Sequence, residues 1–564
     1  MRHRYARRRR PAGVEGHITH ERIALEPGRS RVRPAAAMSP WPASGRRGAV
    51  ADDERMREVS LRYSSGEADE RGRATGCGAG EAKGGDQGEC GPAKHAPGAG
   101  PGKCGSVASA LGRIREVARQ RKKERFTSLF HHISLSLLRL AFYALKRDAA
   151  SGVDGLTWKD YEADLERKLE SLHAHVQRGA YRALPSRRQY IPKPDGRQRP
   201  IAIAALEDKI VQKAALAVLN AIYENDFLEI SYGFRPRRSQ HDALDALIVG
   251  ITSRKVSYIF DADIRSFFDS VSQEWLVRFI EHRIKDPRMI RLIQKWLKAG
   301  VLEDGVVKVS DKGTGQGSVI SPLLANVYLH YTFDLWAERW RRRQATGDMI
   351  IVRYADDLIV GFQHEIDARR FWDDMRSRLQ EFSLTLHPEK TRLLEFGRHA
   401  AINRKQRGLG KPETFNFLGF TFICGKSRRG NFLILRKTRR DRMSAKLKEV
   451  KDELRRRRHN PIPAQGAWLK QVVIGFFAYH AVPTNIHALL AFRTHIKDLW
   501  LRSLRRRSQK DRTSWERIAR LADEFLPQPR ILHPWPNQRF AVTHPRWAPY
   551  AGKPHVRCCA GGAG

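Results

Sequence analysis

Apolar residues recur along the chain in patterns that predict both helices and strands. Helical spacing occupies residues 128–145, residues 207–222 and most of the chain after about residue 436. Short apolar runs around turn residues predict strands in three segments: 187–204, 256–263 and 349–362. These patterns together predict an α+β fold, with the strands in the middle of the chain and helices on its C-terminal side.

One long stretch without a charged residue runs from Gly313 to Phe333. Pro322, Asn326 and His330 interrupt it, so we expect buried core there and not a membrane span. The basic N-terminus is not followed by the apolar run that a secretory signal contains. We therefore expect a cytoplasmic protein that does not use a membrane as a partner.

The charge balance indicates a large anionic partner. Lys and Arg number 104 against 61 Asp and Glu, which gives the 564-residue chain a formal net charge of +43. Nucleic acid is the partner that such an excess favours, and an anionic membrane surface ranks second. The six cysteines include no C-x-x-C pair, so a disulfide scaffold and a cysteine-rich zinc module are not expected, and a reducing compartment is indicated.

Composition divides the chain into five predicted regions. Residues 1–105 are basic and end in a glycine-rich stretch that buries little apolar surface, so we expect a disordered low-complexity extension. It is either a non-functional extension or a basic arm that contacts nucleic acid. The other predicted regions are an N-terminal helical region at 106–175, a mixed region at 176–422, a helical region at 436–540 and a tail at 541–564.

Two adjacent carboxylates stand in the turn between the strands predicted for 349–362. Asp356 and Asp357 follow Tyr354 and Ala355 there. Repulsion and desolvation oppose such a pair at the edge of a core unless a cation neutralises it. Mg²⁺ does so well, because it prefers hard oxygen ligands and keeps places for water and phosphate. The alternative is an ordinary solvent-exposed turn.

A second carboxylate pair ends the strand predicted for 256–263. Asp261 and Asp263 share one face because side chains alternate along a strand. A two-metal phosphoryl-transfer site needs carboxylates from at least two strands. A strand end that caps the next helix would explain one of these aspartates, but not their combination with the Asp356–Asp357 turn. Spacing alone leaves open which of the two aspartates binds metal.

Seven ordered blocks resemble the reverse-transcriptase region of group II intron-encoded proteins. They read RRQYIPKPDGRQRPIAI, SYGFRPRRS, DADIRSFFDSV, GTGQGSVISPLLANVYLH, VRYADDLIVGF, LHPEKT and FNFLGF. One such block is a weak signal, whereas seven in this order are specific. Two later segments, WLKQVVIGFFAYHAVPTN and LRRRSQKDRTSWERI, resemble the thumb and maturase region of the family. The resemblance covers roughly residues 110–540.

The resemblance implies a set of metal-binding residues. Asp263, the backbone carbonyl of Ile264, Asp356 and Asp357 match the positions that hold two Mg²⁺ ions in the family, with the three aspartates as catalytic residues. Asp261 is then a bystander. Both carboxylate blocks keep the residues that the chemistry needs, so we expect an active enzyme.

The resemblance also implies five residues that bind the nucleotide substrate. Lys193 and Arg199 match residues that hold the incoming triphosphate, and their alternative role is that of solvated loop cations. Phe268 matches the bulky side chain that crowds a ribose 2′-OH, and its alternative role is core packing. Gln316 matches a residue beside the nucleotide. Lys390 matches a lysine that can protonate the leaving pyrophosphate.

Three features depart from the family pattern. Gly315 precedes Gln316 where the family usually has proline, which is expected to loosen the loop that positions the nucleotide. Asn416 stands where aspartate is usual, which we expect to be a minor change. Cys558 and Cys559 lack partners at metal-ligand spacing, so the Cys/His endonuclease module of many relatives is not expected here.

The resemblance implies a right-hand polymerase fold and two activities. Fingers and palm, with an antiparallel palm sheet, are expected in 176–422, and a helical thumb and maturase region in 436–540. The activities are RNA-directed DNA synthesis and help in intron splicing. The implied partners are structured intron RNA, RNA and DNA primer-templates and dNTPs. Two alternatives stay open: an RNA-binding splicing cofactor without significant polymerase activity, and another bacterial reverse transcriptase with a defence or diversification role. The sequence does not determine the oligomeric state.

Overall fold

A computed structural model describes residues 101–192, 198–303 and 305–543. This part of the chain mixes helices with largely antiparallel sheets, which confirms the predicted α+β class. The strands, in chain order, are β1 Ser186–Pro192, β2 Gln198–Ile203, β3 Tyr258–Asp263, β4 Val301–Glu303, β5 Val306–Lys308, β6 Met349–Tyr354, β7 Asp357–Phe362, β8 Arg392–Glu395, β9 Phe415–Phe417, β10 Phe420–Lys426 and β11 Phe432–Thr438.

Helices precede, separate and follow these strands. The α-helices are Pro101–Gln120, Leu135–Tyr143, Trp158–Glu162, Leu165–Gln177, Leu206–Tyr223, Gln240–Ser253, Phe267–Ser270, Gln273–Glu281, Pro287–Lys298, Ser321–Leu329, Leu335–Arg343, Glu365–Glu381, Ala400–Gln406, Arg440–Arg456, Ile462–His480, Ile486–Arg505, Trp515–Phe525 and Pro536–Thr543. A 3₁₀ turn covers Phe130–His132, and a π-helical turn covers His330–Asp334.

A four-stranded antiparallel sheet carries both predicted carboxylate segments. Its order is β6-β7-β3-β8, and its register places Asp263 opposite Asp357. Phe371 of the helix Glu365–Glu381 packs against Phe260 and Phe362 of the sheet. A second apolar cluster joins β3 to the helix Gln240–Ser253. Apolar groups thus pack against the sheet from the helix Glu365–Glu381 and from the helix Gln240–Ser253. Because the strands are buried in this way, their sequences are nearly continuous apolar runs.

The predicted strand pair in 187–204 is present as the antiparallel hairpin β1–β2. Its turn, with Lys193 and the Pro-Asp-Gly residues, lies outside the described residues. A parallel contact joins β1 to β4, and β4 forms a second hairpin with β5. We did not predict this second hairpin, because its strands are only three residues long.

A three-stranded sheet crosses the boundary predicted near residues 422–436. The strands β9, β10 and β11 pair antiparallel, and β11 continues to Thr438, so the helical region begins at Arg440 and not at 436. Phe420, Phe422 and Ile434 join the apolar cluster that contains the helix Gln240–Ser253. Side chains alternate along β10 and β11, so these apolar groups lie on one face of the sheet. The strands therefore continue past residue 422, and the mixed region ends later than predicted.

The C-terminal helices surround a separate apolar cluster. Val450 and Leu454 are buried there with Phe476, Phe477 and Trp500, as the helical spacing after residue 436 predicts. The uncharged stretch 313–333 is also largely core, because the helix Ser321–Leu329 and the π turn after it are buried. Among the described residues no helix is long and apolar enough to cross a membrane.

Both predicted terminal regions fall largely outside the described residues. The first described helix starts at Pro101, so it includes the last residues of the extension predicted for 1–105. The last described helix ends at Thr543, and Cys558 and Cys559 lie beyond it.

Candidate functional site

A cleft of about 990 Å³ opens at one end of the β6-β7-β3-β8 sheet, where β3 ends and β7 begins. It brings together nine of the residues that the sequence analysis singles out, and Lys193 lies outside the described residues. The nine, all lining the cleft, are Arg199, Asp261, Asp263, Ile264, Phe268, Gln316, Asp356, Asp357 and Lys390. Residues from widely separated blocks therefore share one cavity.

The Asp356–Asp357 pair lies in a tight hairpin between β6 and β7. Tyr354 pairs with Asp357, which leaves Ala355 and Asp356 as a two-residue loop. Ala355 has φ of 57°, a conformation that residues with a Cβ rarely adopt and that costs on the order of 1–2 kcal/mol. The turn therefore holds a strained backbone immediately before the predicted metal ligands.

The carboxylates at the cleft disfavour one another's charge. Burial raises the pKa of Asp357 to about 7, with contributions from the charges of Asp356, Asp263 and Asp261, although its side chain reaches solvent in the cleft. Burial also raises the pKa of Asp356, and the Asp263 carboxylate adds to that effect, while Arg199 and Lys390 oppose it. Burial and mutual repulsion therefore both disfavour the charged form of these carboxylates.

The donor chemistry at this turn fits a divalent cation. Asp263 and Asp356 offer hard oxygen ligands, and their mutual repulsion is the kind that a bound cation relieves. Within the described ranges no group of three or more His, Cys, Asp and Glu side chains forms a preassembled metal site. A cation would therefore complete its coordination with backbone oxygen, water or substrate phosphate, as Mg²⁺ commonly does.

Two cations of the chain are bound to the carboxylates of β3. Lys390 forms an ion pair with Asp263, and its side chain remains half exposed. Arg392 lies 3.1 Å from Asp261. Burial raises the pKa of Asp261, and the Arg392 guanidinium opposes that rise. Each carboxylate of β3 thus has one cation of the chain as its partner.

The loop that contains Gln316 is attached to β2. The Ala202 amide donates to the Gln316 carbonyl at 2.6 Å, and Gly317, with φ of 114°, packs against the same strand. A Cβ at Gly315 would meet only Ala202 and Ser318, at 3.7 and 4.0 Å. Packing therefore leaves room for a larger residue at 315.

Phe268 lies partly exposed in the cleft and packs edge-on against the buried Phe267, with 5.4 Å between the ring centres. It thus satisfies the core-packing alternative in part, and it still presents a surface to the cleft. Asn416 also lines the cleft, and its side chain accepts a hydrogen bond from the Thr421 hydroxyl.

The C-terminal helices contribute cleft residues that the sequence analysis did not assign to the site. Arg439, Arg442 and Tyr479 line the same cavity. The Tyr479 hydroxyl donates to the Leu418 carbonyl at 2.7 Å, which fixes this helix beside the FNFLGF block. For Arg439 and Arg442 the only signal in the sequence is their place at the start of a helical region rich in arginine.

The basic run 455–458 divides into two kinds of arginine. Arg455 and Arg456 are exposed, the latter with a salt bridge to Glu453. Arg457 pairs with Glu453 at 2.7 Å and stacks over Trp468, and Arg458 is half-buried. Of the aromatics near these cations, Phe476, Phe477 and Trp500 belong to the core, whereas Trp515 is 48 % exposed.

Carboxylates from two strands, together with the cations Arg199 and Lys390 in one cleft, fit the chemistry of metal-dependent phosphoryl transfer. The profile of the family "Reverse transcriptase (RNA-dependent DNA polymerase)" matches residues 191–422, which contain this site.

Relatives extend this assignment. Protein YkfC of Escherichia coli is 32% identical over 319 residues, which cover 50% of this chain and 78% of YkfC. The group II intron-encoded protein LtrA of Lactococcus lactis is 33% identical over 222 residues, 39% of this chain and 37% of LtrA. An uncharacterised 91 kDa protein in the cob intron of Schizosaccharomyces pombe is 34% identical over 198 residues, 35% of this chain and 24% of that protein. The chain belongs to the reverse-transcriptase family of group II intron-encoded proteins.

Proposed function

We propose that the chain is an RNA-directed DNA polymerase that also acts as an intron maturase. The observation that carries the polymerase proposal is the convergence of Asp263, Asp356 and Asp357 at one end of an antiparallel sheet, inside the region that matches the family. In this reading the region 176–422 corresponds to fingers and palm, with β6-β7-β3-β8 as the palm sheet, and 436–540 to the thumb and maturase region.

The proposed reaction joins a primer to a dNTP. The primer 3′-oxygen forms a bond to the α-phosphorus, the bond to the bridging oxygen of the β-phosphate breaks, and pyrophosphate leaves. Two Mg²⁺ ions, when bound, would stabilise the attacking and leaving oxygens. Asp263 and Asp356 would bind these ions, together with the Ile264 carbonyl and Asp357. A divalent-metal requirement is a general property of the family.

The remaining cleft residues are proposed to bind and orient the nucleotide. Arg199 is exposed beside the carboxylates, where a guanidinium can bind triphosphate oxygens, and Lys193 is proposed to act with it. Gln316 would contact the nucleotide from a loop attached to β2. Phe268 would exclude the ribose 2′-OH. Lys390 would deliver a proton to pyrophosphate, a task for which its half-exposed, flexible side chain is suited.

The maturase proposal depends on the cationic helices after Arg439. Exposed arginines such as Arg455 and Arg456 offer phosphate contacts for structured intron RNA, and the printed name of LtrA connects a relative with group II introns. RNA and DNA primer-templates and dNTPs are the other proposed partners. The splicing cofactor without significant polymerase activity and the defence or diversification enzyme remain the competing functions.

Incorporation of dNTPs on a primed RNA template tests the polymerase proposal. We expect Asp356→Asn and Asp263→Asn to abolish incorporation, because a neutral amide is a poor Mg²⁺ ligand. Asp261→Asn is the matched control on the same strand and should retain most of the activity. Activity in Asp263→Asn together with a dead Asp261→Asn would reverse the assignment of the β3 carboxylates.

Splicing of the flanking intron RNA by the same variants separates the two functions. Asp356→Asn combined with Asp357→Asn should stop DNA synthesis and preserve splicing, because RNA binding does not need the metal ligands. A wild-type chain that assists splicing but incorporates no dNTP would favour the cofactor alternative.

A further inference from the structure

One guanidinium inside the protein is bound directly to the strained turn of the site. Arg353 lies on β6 two residues before Ala355, and its side chain is fully buried. Its Nε and Nη2 donate to the two carboxylate oxygens of Asp334 at 2.7 and 2.6 Å. Nη1 donates to the Asn326 side-chain oxygen at 2.9 Å and to the Ala355 carbonyl at 3.0 Å, and Nη2 also donates to the Ser231 hydroxyl at 2.7 Å.

The contact with Ala355 distinguishes Arg353 from an ordinary buried ion pair. A residue at positive φ keeps that conformation only when its surroundings over-determine it. The Ala355 carbonyl belongs to the peptide group that leads into Asp356. A guanidinium bound to that oxygen therefore restricts the orientation of the peptide that positions the Asp356 carboxylate.

The other groups that bind Arg353 come from segments that are distant from it in the sequence. The π-helical turn His330–Asp334 supplies Asp334, and such turns occur frequently at functional sites. Asn326 lies on the helix that follows the Gln316 loop, and its amide donates to the Gly233 carbonyl at 2.8 Å. The helix, the 231–233 segment and the turn thus meet at one side chain.

We propose that Arg353 is a positioning residue for the metal-binding turn, which holds Ala355 and thereby Asp356 in the geometry that binds a divalent cation. This proposal rests on the proposed polymerase function. Stability alone is a weak reason for a buried ion pair, because an apolar replacement is often no less stable. Positioning of the turn gives a reason for the contact with the Ala355 carbonyl, which pairing with Asp334 alone does not.

The chain contains a matched control for this proposal. Arg436 is also buried and pairs with a buried carboxylate, Asp245, at 3.0 Å, but it lies on β11 and not on the hairpin that carries Asp356. Lysine at either position keeps the positive charge and loses the planar set of donors that an arginine offers. Arg353→Lys and Arg436→Lys therefore perturb comparable ion pairs, and only the first perturbs the turn.

Three measurements on these variants test the proposal: Mn²⁺ affinity of the nucleotide-free protein by electron paramagnetic resonance, kcat for dNTP incorporation, and thermal melting. In Arg353→Lys we expect Mn²⁺ affinity and kcat to fall roughly 10- to 100-fold, as is usual when a group that orients a metal ligand is changed. In Arg436→Lys both should stay within about twofold of wild type, even where the melting temperature drops equally. Asp356→Asn must also weaken the measured Mn²⁺ binding, which identifies the site.

Unchanged Mn²⁺ affinity in a folded Arg353→Lys protein would overturn the proposal, as would equal losses in both lysine variants. If Arg353→Lys does not fold, Asn326→Ala replaces it, because it removes one acceptor of Arg353 and leaves the Asp334 pair intact. This variant should weaken Mn²⁺ binding several-fold, and wild-type affinity in it would refute the proposal. A wild-type protein that binds Mn²⁺ but incorporates no dNTP would reject the polymerase function and leave the Arg353 comparison valid.

Discussion

Adding a single methyl group at Gly233 should strongly displace the turn that carries Asp356. Gly233 lies in the SYGFRP block, next to Tyr232, whose amide donates to the Arg353 carbonyl at 2.9 Å. A Cβ at 233 would lie 2.3 Å from the Ala355 nitrogen and 3.1 Å from its Cα. Both neighbours are backbone atoms, so a flexible side chain cannot absorb the clash by moving aside.

The size of the effect follows from these distances. An ordinary contact of about 3.4 Å requires the two backbones to separate by roughly 1 Å. Overpacking of this kind costs about 1–3 kcal/mol of stability. A displacement of about 1 Å at a reacting centre reduces the rate by on the order of 100-fold. We therefore expect Gly233→Ala to lower kcat about 100-fold with a moderate loss of stability.

The assay is single-nucleotide incorporation on a primed RNA template, normalised to folded protein. Gly397→Ala is the matched control, because its Cβ would lie 2.1 Å from the Val256 carbonyl oxygen, near the start of β3 and away from the turn. That variant should lose stability and keep its kcat. A Gly233→Ala protein with more than half of the wild-type kcat would refute the argument that close backbone contact positions the turn.

Two further predictions concern the substrate and the RNA. Phe268→Ala should raise the ratio of ribonucleotide to deoxynucleotide incorporation, measured in parallel reactions, and an unchanged ratio would leave Phe268 as packing alone. Replacing Arg455 and Arg456 by Gln should reduce the slope of log affinity against log salt for intron RNA by up to roughly 1.4–1.8 units, at about 0.7–0.9 per lost phosphate contact. Arg457→Gln serves as the control, since Glu453 and Trp468 already bind that side chain, and an equal slope change in it would contradict this division.

The positions of the site carboxylates could be predicted with little knowledge of tertiary structure. Asp356 lies in the two-residue loop after one apolar run, Asp357 begins the next strand, and Asp263 ends a third such run, so local pattern places all three at strand ends. The structure adds the pairing of β3 with β7, which sets Asp263 opposite Asp357. The strand pair in 187–204, the helix in 207–222 and the buried segment 313–333 were also predicted from local patterns. The structure contains all three.

Other parts of the site depend on contacts that no local pattern contains. Arg353 is a single charge inside an apolar strand of the sequence, and only the tertiary structure brings Asp334 and Asn326 within reach of its guanidinium. Likewise, Arg442 and Tyr479 line the cleft from helices that follow the sheet strands in sequence, and the Tyr479 hydroxyl is bound to the Leu418 carbonyl.

The sequence by itself determined which residue types carry the chemistry, because metal binding and phosphate recognition demand carboxylates and cations in an order that is readable along the chain. Only the tertiary structure decided how the turn is held. Gly233 approaches the Ala355 backbone from a segment that is far away in the chain, and Asp334 and Asn326, which bind the Arg353 guanidinium beside the Ala355 carbonyl, are also distant in sequence. A hydrogen bond or a close approach between such segments has no periodicity, so neither leaves a pattern that a single sequence displays.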